Sequence, residues 1–322
     1  LRNVETGRRP PTRTTVMHLQ SVPELRIDPS PIGEHIAGRP QRVQDFSPNC
    51  WLTPEYDALK LHNELTMQLN GRGGHLEQTY LYLDHSSAAA WCSIAEHEIY
   101  TTARNLMPLG RVAERVAELA GPVGLDVIGL GCGDGKDEVR LTQRLLDVHR
   151  NRNLRLYLLD ISQPLLSEAL KHASASLEGR SGVTTWAVQG NFHHLPRYTQ
   201  LHYAPQRANR RRLITMLGNT LGNLDNEPSF FRHCLAGFTT GDLLLLDVDV
   251  AHASSSAPDE IKKCDPALQQ SVRPAHVEWL GGPLLRYCNG AVDVHLRYEL
   301  DVNCPVPGSY ALDALATVKM ND

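Results

Sequence analysis

The segment VIGLGCGDGKDE (127–138) carries an apolar run, LDVIGLG (125–131), into a helical stretch through Gly131, Gly133 and Gly135 at alternate positions. Glycines between a strand and a helix let a ligand approach the backbone and leave the first helical N–H groups free to meet it. The pattern then repeats. A helix over about 136–149 leads to LRLYLLD (154–160), and a helix over about 163–175 leads to VTTWAVQG (183–190). RLITMLG (212–218) and DLLLLDVDV (242–250) read as further strands with a helix at 226–236 between them. Apolar strands alternating with helices predict an α/β fold with a doubly wound parallel sheet. The dinucleotide form of the loop has G-x-G-x-x-G, and the spacing here is G-x-G-x-G.

The flanks read differently. Residues 1–50 are rich in Pro, Arg and Thr and read as an arm packing on its own site or on a neighbouring subunit; a homodimer is the corresponding expectation. Residues 53–69, opened by Thr53 and Pro54, and 86–107 and 108–120 have helical spacing. After 250, LLRYCNG–AVDVHLRYEL reads as antiparallel strands about an Asn289–Gly290 turn. The chain thus divides into an arm (1–50), a helical part of a smaller α+β substrate domain (51–110), a Rossmann-like core (111–250) and an antiparallel part of the substrate domain (251–322).

Composition narrows the function. A length of 322 residues fits one large domain or two sharing a core, and a net charge of −4 argues against a nucleic-acid partner. Arg207, Arg210, Arg211 and Arg212 accordingly read as a solvated loop before the fourth strand. Seven scattered cysteines without a C-x-x-C pair predict neither a disulfide framework nor a zinc ribbon. They point to a reducing, cytoplasmic location. No H-x-x-x-H or H-E-x-x-H falls on an expected helix, so no metal site is predicted. No apolar run is long enough to span a bilayer, and no basic segment followed by an apolar one opens the chain; neither membrane nor leader is expected.

Three strand ends carry candidate ligand groups. Asp160, ending the second strand, can accept both ribose hydroxyls of an adenosine or cap the following helix. Asn191 and Phe192, after the third strand, supply an amide for an adenine edge and a ring to cover it. His193 and His194 are either a proton acceptor near the reacting group or solvent-facing loop histidines. Asp249, after the fifth strand, either orients an acceptor or caps a loop. The glycine loop, Asp160 and Asn191–Phe192, at three successive strand ends, favour an adenosine ligand.

LGNTLGNLDNEPSFFRHCLAGFTTGDLLLLDVDV (217–250) resembles the histidine-specific methyltransferases of ergothioneine biosynthesis and their relatives acting on prenylated tryptophan. The family's G-S-T-I-G-N-type segment stands here as Gly218 through Asn223, and YLYLDHSSAAAWCSIAEHEIYTTAR (80–104) is similar to its aromatic-Asp opening and Tyr-x-x-x-Arg pattern. The resemblance implies S-adenosylmethionine (SAM) as cofactor, with S-adenosylhomocysteine as product. It gives Gly131, Gly133, Gly135, Lys136, Asp160, Asn191, Phe192 and Gly218 to the cofactor. Tyr100, Arg104, Asn219, Asn223 and Asp249 fall to the acceptor, which Gly218 also faces, and Tyr100, His193 and Asn223 are the catalytic candidates.

The chain departs from the family at Gly129, where the family has an acidic residue, at Lys136, one position from the family's lysine, and at Leu83 and Cys264, in place of aromatic residues. ALDALATVKMND (311–322) has no match to the residues that grip a histidine imidazole. The expected acceptor is therefore a small aromatic amino-acid derivative, tryptophan or an indole compound of specialised metabolism. A histidine α-N-methyltransferase and a non-catalytic SAM-binding protein are the alternatives.

Overall fold

The computed structural model describes residues 49–52, 63, 67, 78–149, 153–195, 209–218, 220–224, 226–235, 240–248, 273–288, 292–301 and 311–320. The elements run β1 (Asn49–Leu52), α1 (His85–Ala95), α2 (Glu98–Leu106), α3 (Leu109–Ala120), β2 (Gly124–Leu130) and α4 (Lys136–Val148). They continue with β3 (Leu154–Asp160), α5 (Gln163–Leu177), β4 (Val183–Gln189), β5 (Arg210–Met216), α6 (Glu227–His233) and β6 (Leu243–Leu246). α7 (Arg273–Tyr287), β7 (Val292–Asp301) and β8 (Ala311–Met320) complete the order.

Six strands form one sheet in the order β1-β4-β3-β2-β5-β6, and every pairing in it is parallel. This is the doubly wound α/β architecture that the alternation predicts. All seven residues of β2 are buried, as expected of a strand covered on both faces. Its alternate side chains serve two cores. Leu125 and Val127 join Ala113, Val116, Leu141, Leu145, Leu166 and Ala169 from α3, α4 and α5, whereas Ile128 and Leu130 join Ile214, Met216 and Phe230. Order reverses between β2 and β5, so Gly131 and Gly218 stand at the carboxyl edge beside the switch point, where open α/β sheets bind ligands.

β1 adds a parallel strand beyond β4, pairing Asn49 with Trp186 and Leu52 with Gln189. The other flank is built around α1 and α7. Asp84 caps α1 by accepting from the Ser87 amide at 2.8 Å, and its other oxygen binds Arg286 of α7 at 2.6 Å. Gly282 of α7 lies against Ser87, where a Cβ would collide with the hydroxyl, and this close approach lets the helices meet. Tyr80, Leu81, Ile94, Trp279, Leu280 and Ala314 are buried together there, apart from the two sheet cores. β7 and β8 pair antiparallel from Val292↔Met320 to Asp301↔Ala311.

Three expectations change. The helix expected over 86–107 divides at Glu96–His97, where the His97 N–H turns to the Ile94 carbonyl and α2 starts afresh. Leu284, Leu285 and Arg286 are not a strand but the last turns of α7, whose buried positions include His276, Trp279, Leu280 and Leu284. The antiparallel pair is β7 with β8, and Asn289–Gly290 lies outside the described residues. Arg210 to Arg212 are not a solvated loop but open β5. Arg210 Nε donates to buried Asp126 at 2.7 Å, and Arg212 Nε to Asp242 at 3.0 Å. Asp126 of the neighbouring β2 and Asp242, just before β6, neutralise these cations in the interior, where an unpaired charge is costly. Arg207, the arm before residue 49 and the proposed Thr53 cap lie outside the described residues. No helix among the described residues is long and apolar enough to cross a membrane.

Candidate active site

A cavity of about 310 Å³ opens at the carboxyl edge of the sheet. Its floor is the loop after β2. Gly131 and Gly133 are left-handed, with φ of 62° and 55°, a conformation costly for other residues. A Cβ on Gly131 would lie 2.9 Å from Thr220 Cγ2, and one on Gly133 would lie 2.7 Å from the Trp91 ring. The loop is pinned from β3: the Gly131 and Cys132 N–H groups donate to the Leu159 carbonyl, and the Gly133 N–H donates to Asp160 Oδ2 at 2.8 Å.

Asp160 is buried, and its second oxygen accepts the Ser162 N–H at 2.8 Å. Burial raises its carboxyl to about 6, against the opposing effect of hydrogen bonds from the Ser162, Gly133 and Ile161 backbone. The helix after β3 is capped by Ser162, whose Oγ accepts from Leu165 N, so Asp160 orders the loop and faces the cavity without being the cap. Each carboxylate oxygen keeps a lone pair for a ligand hydroxyl.

Asn191 accepts the His193 N–H at 2.9 Å, which leaves its amide N–H groups as donors. Phe192 and His193 stack at 4.9 Å between centroids, and both meet Phe230 edge-on at 5.8 and 5.6 Å. His193 Nδ1 lies 3.7 Å from Cys234 Sγ. These rings make one apolar wall of the cavity. Gly218, with φ 63°, donates its N–H to Asp247 at 3.0 Å, and Thr220 and Asn223 follow on a 3-10 turn at the rim.

The opposite wall comes from the N-terminal helices. Tyr82 meets Trp91 at 6.5 Å, edge-on, and Trp279 at 5.6 Å. Burial, with smaller effects of Asp160 and Tyr100, pushes the Tyr82 phenol far above its ordinary value, so it stays a hydroxyl. Arg104 on α2 bonds Asp137 at 2.9 Å and reaches Asp134 at 3.7 Å, tying this wall to the glycine loop. Glu138 completes the floor, 2% exposed; burial, then Asp137, raises its carboxyl well above the usual range.

The cavity thus gathers Gly131, Gly133, Asp160, Asn191, Phe192, His193, Gly218, Asn223 and Arg104 from the residues singled out in the sequence. Three others stand aside. Gly135 packs against Ala169 and Leu158. Lys136 pairs with Asp134 at 2.9 Å and Glu96 at 3.2 Å and faces a second cavity between α1 and α5. Tyr100 packs with the aromatic cluster around Trp279. Asn219, Asp249 and Cys264 lie outside the described residues. Tyr82, Trp91, Glu138, Thr220 and Phe230 also line the cavity without having been singled out, all but Glu138 within the two segments that carry the resemblance. No group of His, Cys, Asp and Glu among the described residues could hold a metal ion.

The donor set fits an adenosine with an amino-acid tail: a strand-end carboxylate, an amide beside rings, and a glycine floor open to backbone approach. Known structures similar to this chain are themselves methyltransferases. The magnesium protoporphyrin IX methyltransferase of Synechocystis, solved with SAM bound, is 14% identical over 76% of this chain and 98% of its own, with a TM-score of 0.35. A SAM-dependent methyltransferase from Thiobacillus denitrificans, in complex with S-adenosyl-L-homocysteine, is 13% identical over 60% of this chain and 66% of its own, with a TM-score of 0.31. An arsenic(III) S-adenosylmethionine methyltransferase from Chlamydomonas reinhardtii is 15% identical over 67% and 74%, at 0.30. No curated protein matches the chain. The model of the SAM-dependent, histidine-specific methyltransferases matches residues 61–261, well over half of the sequence and the whole of the sheet from β2 to β6, and the chain belongs to that family.

Proposed function

We propose that this SAM-dependent methyltransferase acts on tryptophan or an indole-containing derivative, with Asp160 on the ribose, Asn191 and Phe192 on the adenine, and Gly131 and Gly133 beneath the amino-acid tail. When bound, the cofactor supplies a sulfonium-activated methyl group. The chain must then orient the acceptor within about 3 Å of that group and keep water out. The helices before residue 110 and the elements after 273 form the acceptor side. In this reading Asn223 and Arg104, both lining the cavity, meet the polar end of the amino acid.

The observation that carries the choice of acceptor is the wall of Tyr82 and Trp91, backed by Trp279, which offers ring faces and edges to a flat aromatic group. An indole carbon is its own nucleophile and needs only a group to polarise or take the ring N–H proton. The neutral Tyr82 hydroxyl, with Tyr100 in the same cluster, can accept that hydrogen bond and polarise the ring, and the proton released on methyl transfer passes to solvent as the product leaves. His193 is committed to the Phe192–Phe230 stack at the adenine end and is better suited to holding the base than to moving the proton.

Family membership favours a second reading, methylation of the histidine α-amine, in which Asn223 and Arg104 would hold the amino acid. Mass spectrometry with deuterated-methyl SAM decides between them across histidine, tryptophan, indole amines and tryptophan-containing cyclic dipeptides. A labelled indole product with unlabelled histidine is expected. Labelled histidine overturns the indole assignment, and tight cofactor binding without turnover of any acceptor leaves a non-catalytic binder.

A further inference from the structure

Gly129, within β2, has no side chain, and the space beside it is filled from another element. A Cβ built there would lie 2.5 Å from Glu138 Cγ and 3.2 Å from Glu138 Oε1. The first turn of α4 therefore inserts its glutamate over the strand, and the carboxyl lines the cavity next to the glycine loop. Its surroundings are unusual for an acid. It is 2% exposed, and among the described residues no cation lies within ion-pair distance of it.

The charged groups facing it are Asp137 on α4, Asp134 in the loop and Arg104 on α2. Arg104 is already held by Asp137 and Asp134. Of the three acids lining the cavity, Asp137 has Arg104 and Arg140, and Asp160 has two backbone N–H groups. Glu138 has neither a counter-charge nor a donor from another residue, only its own backbone N–H. A desolvated carboxylate of this kind is unstable unless a cation arrives with the ligand.

We infer that Glu138 is the binding site for the α-ammonium group of the methyl donor's amino-acid tail, reached across the gap that Gly129 leaves in the strand. The inference rests on the methyl-donor reading of the cavity and adds to it the residue that distinguishes a donor with an amino-acid tail from a bare thioadenosine. The shared chemistry, an α-ammonium, could also come from an amino-acid acceptor. The test separates the two by leaving the acceptor out.

Isothermal titration of the full chain with S-adenosylhomocysteine and with 5′-methylthioadenosine, which lacks the amino-acid tail, reads the contact directly. Glu138→Gln is expected to weaken S-adenosylhomocysteine about tenfold or more, as loss of a charged hydrogen bond does, and to leave 5′-methylthioadenosine unchanged. The amide is cheaper to bury than the carboxylate, so the variant is expected to melt no lower than the parent, which separates a binding loss from misfolding. Pairing Glu138→Ala with Gly129→Asp, which returns a carboxylate to the vacated place from the strand, is expected to recover part of the lost affinity. Equal affinity of parent and Glu138→Gln for S-adenosylhomocysteine overturns the inference, as does an equal loss for both ligands. A parent that binds neither ligand overturns the donor reading itself.

Discussion

The floor of the cavity and its helical wall are built by different means. The floor at the sheet edge is mostly backbone: left-handed glycines after β2, N–H groups held by the Leu159 carbonyl and Asp160, and a 3-10 turn at 220–223 beside it. The wall is side chains from helices that meet only in three dimensions, with Tyr82, Trp91 and Trp279 brought together by the packing of α1 on α7. A backbone site tolerates few substitutions, because each added atom meets something fixed. A side-chain site can be refitted one ring at a time.

The strongest way to break this contrast is at Gly133. A valine there places a branched Cβ against Trp91 and forces φ near +55° on a residue that avoids it. Backbone strain of about 1–3 kcal/mol and the clash together predict a loss of S-adenosylhomocysteine affinity of roughly a hundredfold. Calorimetric titration checks this, with circular dichroism to confirm that the sheet survives. A loss below tenfold would mean that the loop bends freely and that its glycines are not fixed by the ligand's approach.

Asp160 sharpens the same floor. In the proposed binding mode ribose hydroxyls donate to its ionised form, and the free carboxyl lies at about 6. Its contribution to affinity is therefore flat above that pH and falls by up to about tenfold for each unit below it, as a single proton requires. Asp160→Asn keeps the shape and loses the charge, so it is expected to bind roughly 10- to 100-fold more weakly near neutrality and to lack that acid limb. The sign for folding is opposite. A buried acid with a raised pKa favours the folded state at low pH, and this contribution is lost as pH rises from about 4 to about 6.

The same contrast explains what could be read from the chain. Parallel strands buried on both faces are short apolar runs, so the sheet from β2 to β6 was legible, as were Gly131, Asp160 and Asn191 at their ends, since strand end and functional group are neighbours in sequence. Arg210 and Arg212 misled because their carboxylates lie 84 and 30 residues away, and only the folded sheet shows that they are paired. Leu284 and Leu285 misled because a short apolar pair flanked by Arg286 and Tyr287 suits a strand or a buried helix equally. Tyr82 and Trp91 gave no sign of their place in the cavity for the same reason as the arginines. Nothing near them in sequence says that α7 stands behind. Glu138 is the clearest case: its place is explained by an absent side chain nine positions earlier, on a different element.

The smallest expected effect tests the contrast from the other side. Lys136 sits in the glycine segment and is a natural candidate for the cofactor, yet its ammonium turns away to Asp134 and Glu96, toward the second cavity. It is partly exposed, and pairs of that kind contribute about 0–1 kcal/mol. Lys136→Met keeps the aliphatic stem and removes the charge. It is expected to change S-adenosylhomocysteine affinity by no more than about twofold, a small fraction of the effect at Gly133 in the same loop, because the loop is set by its backbone bonds to β3 and not by this ion pair. The same calorimetric titration reads it. A tenfold loss would mean that Lys136 holds Asp134 in a position the loop depends on, and that a side-chain network supports the backbone floor after all.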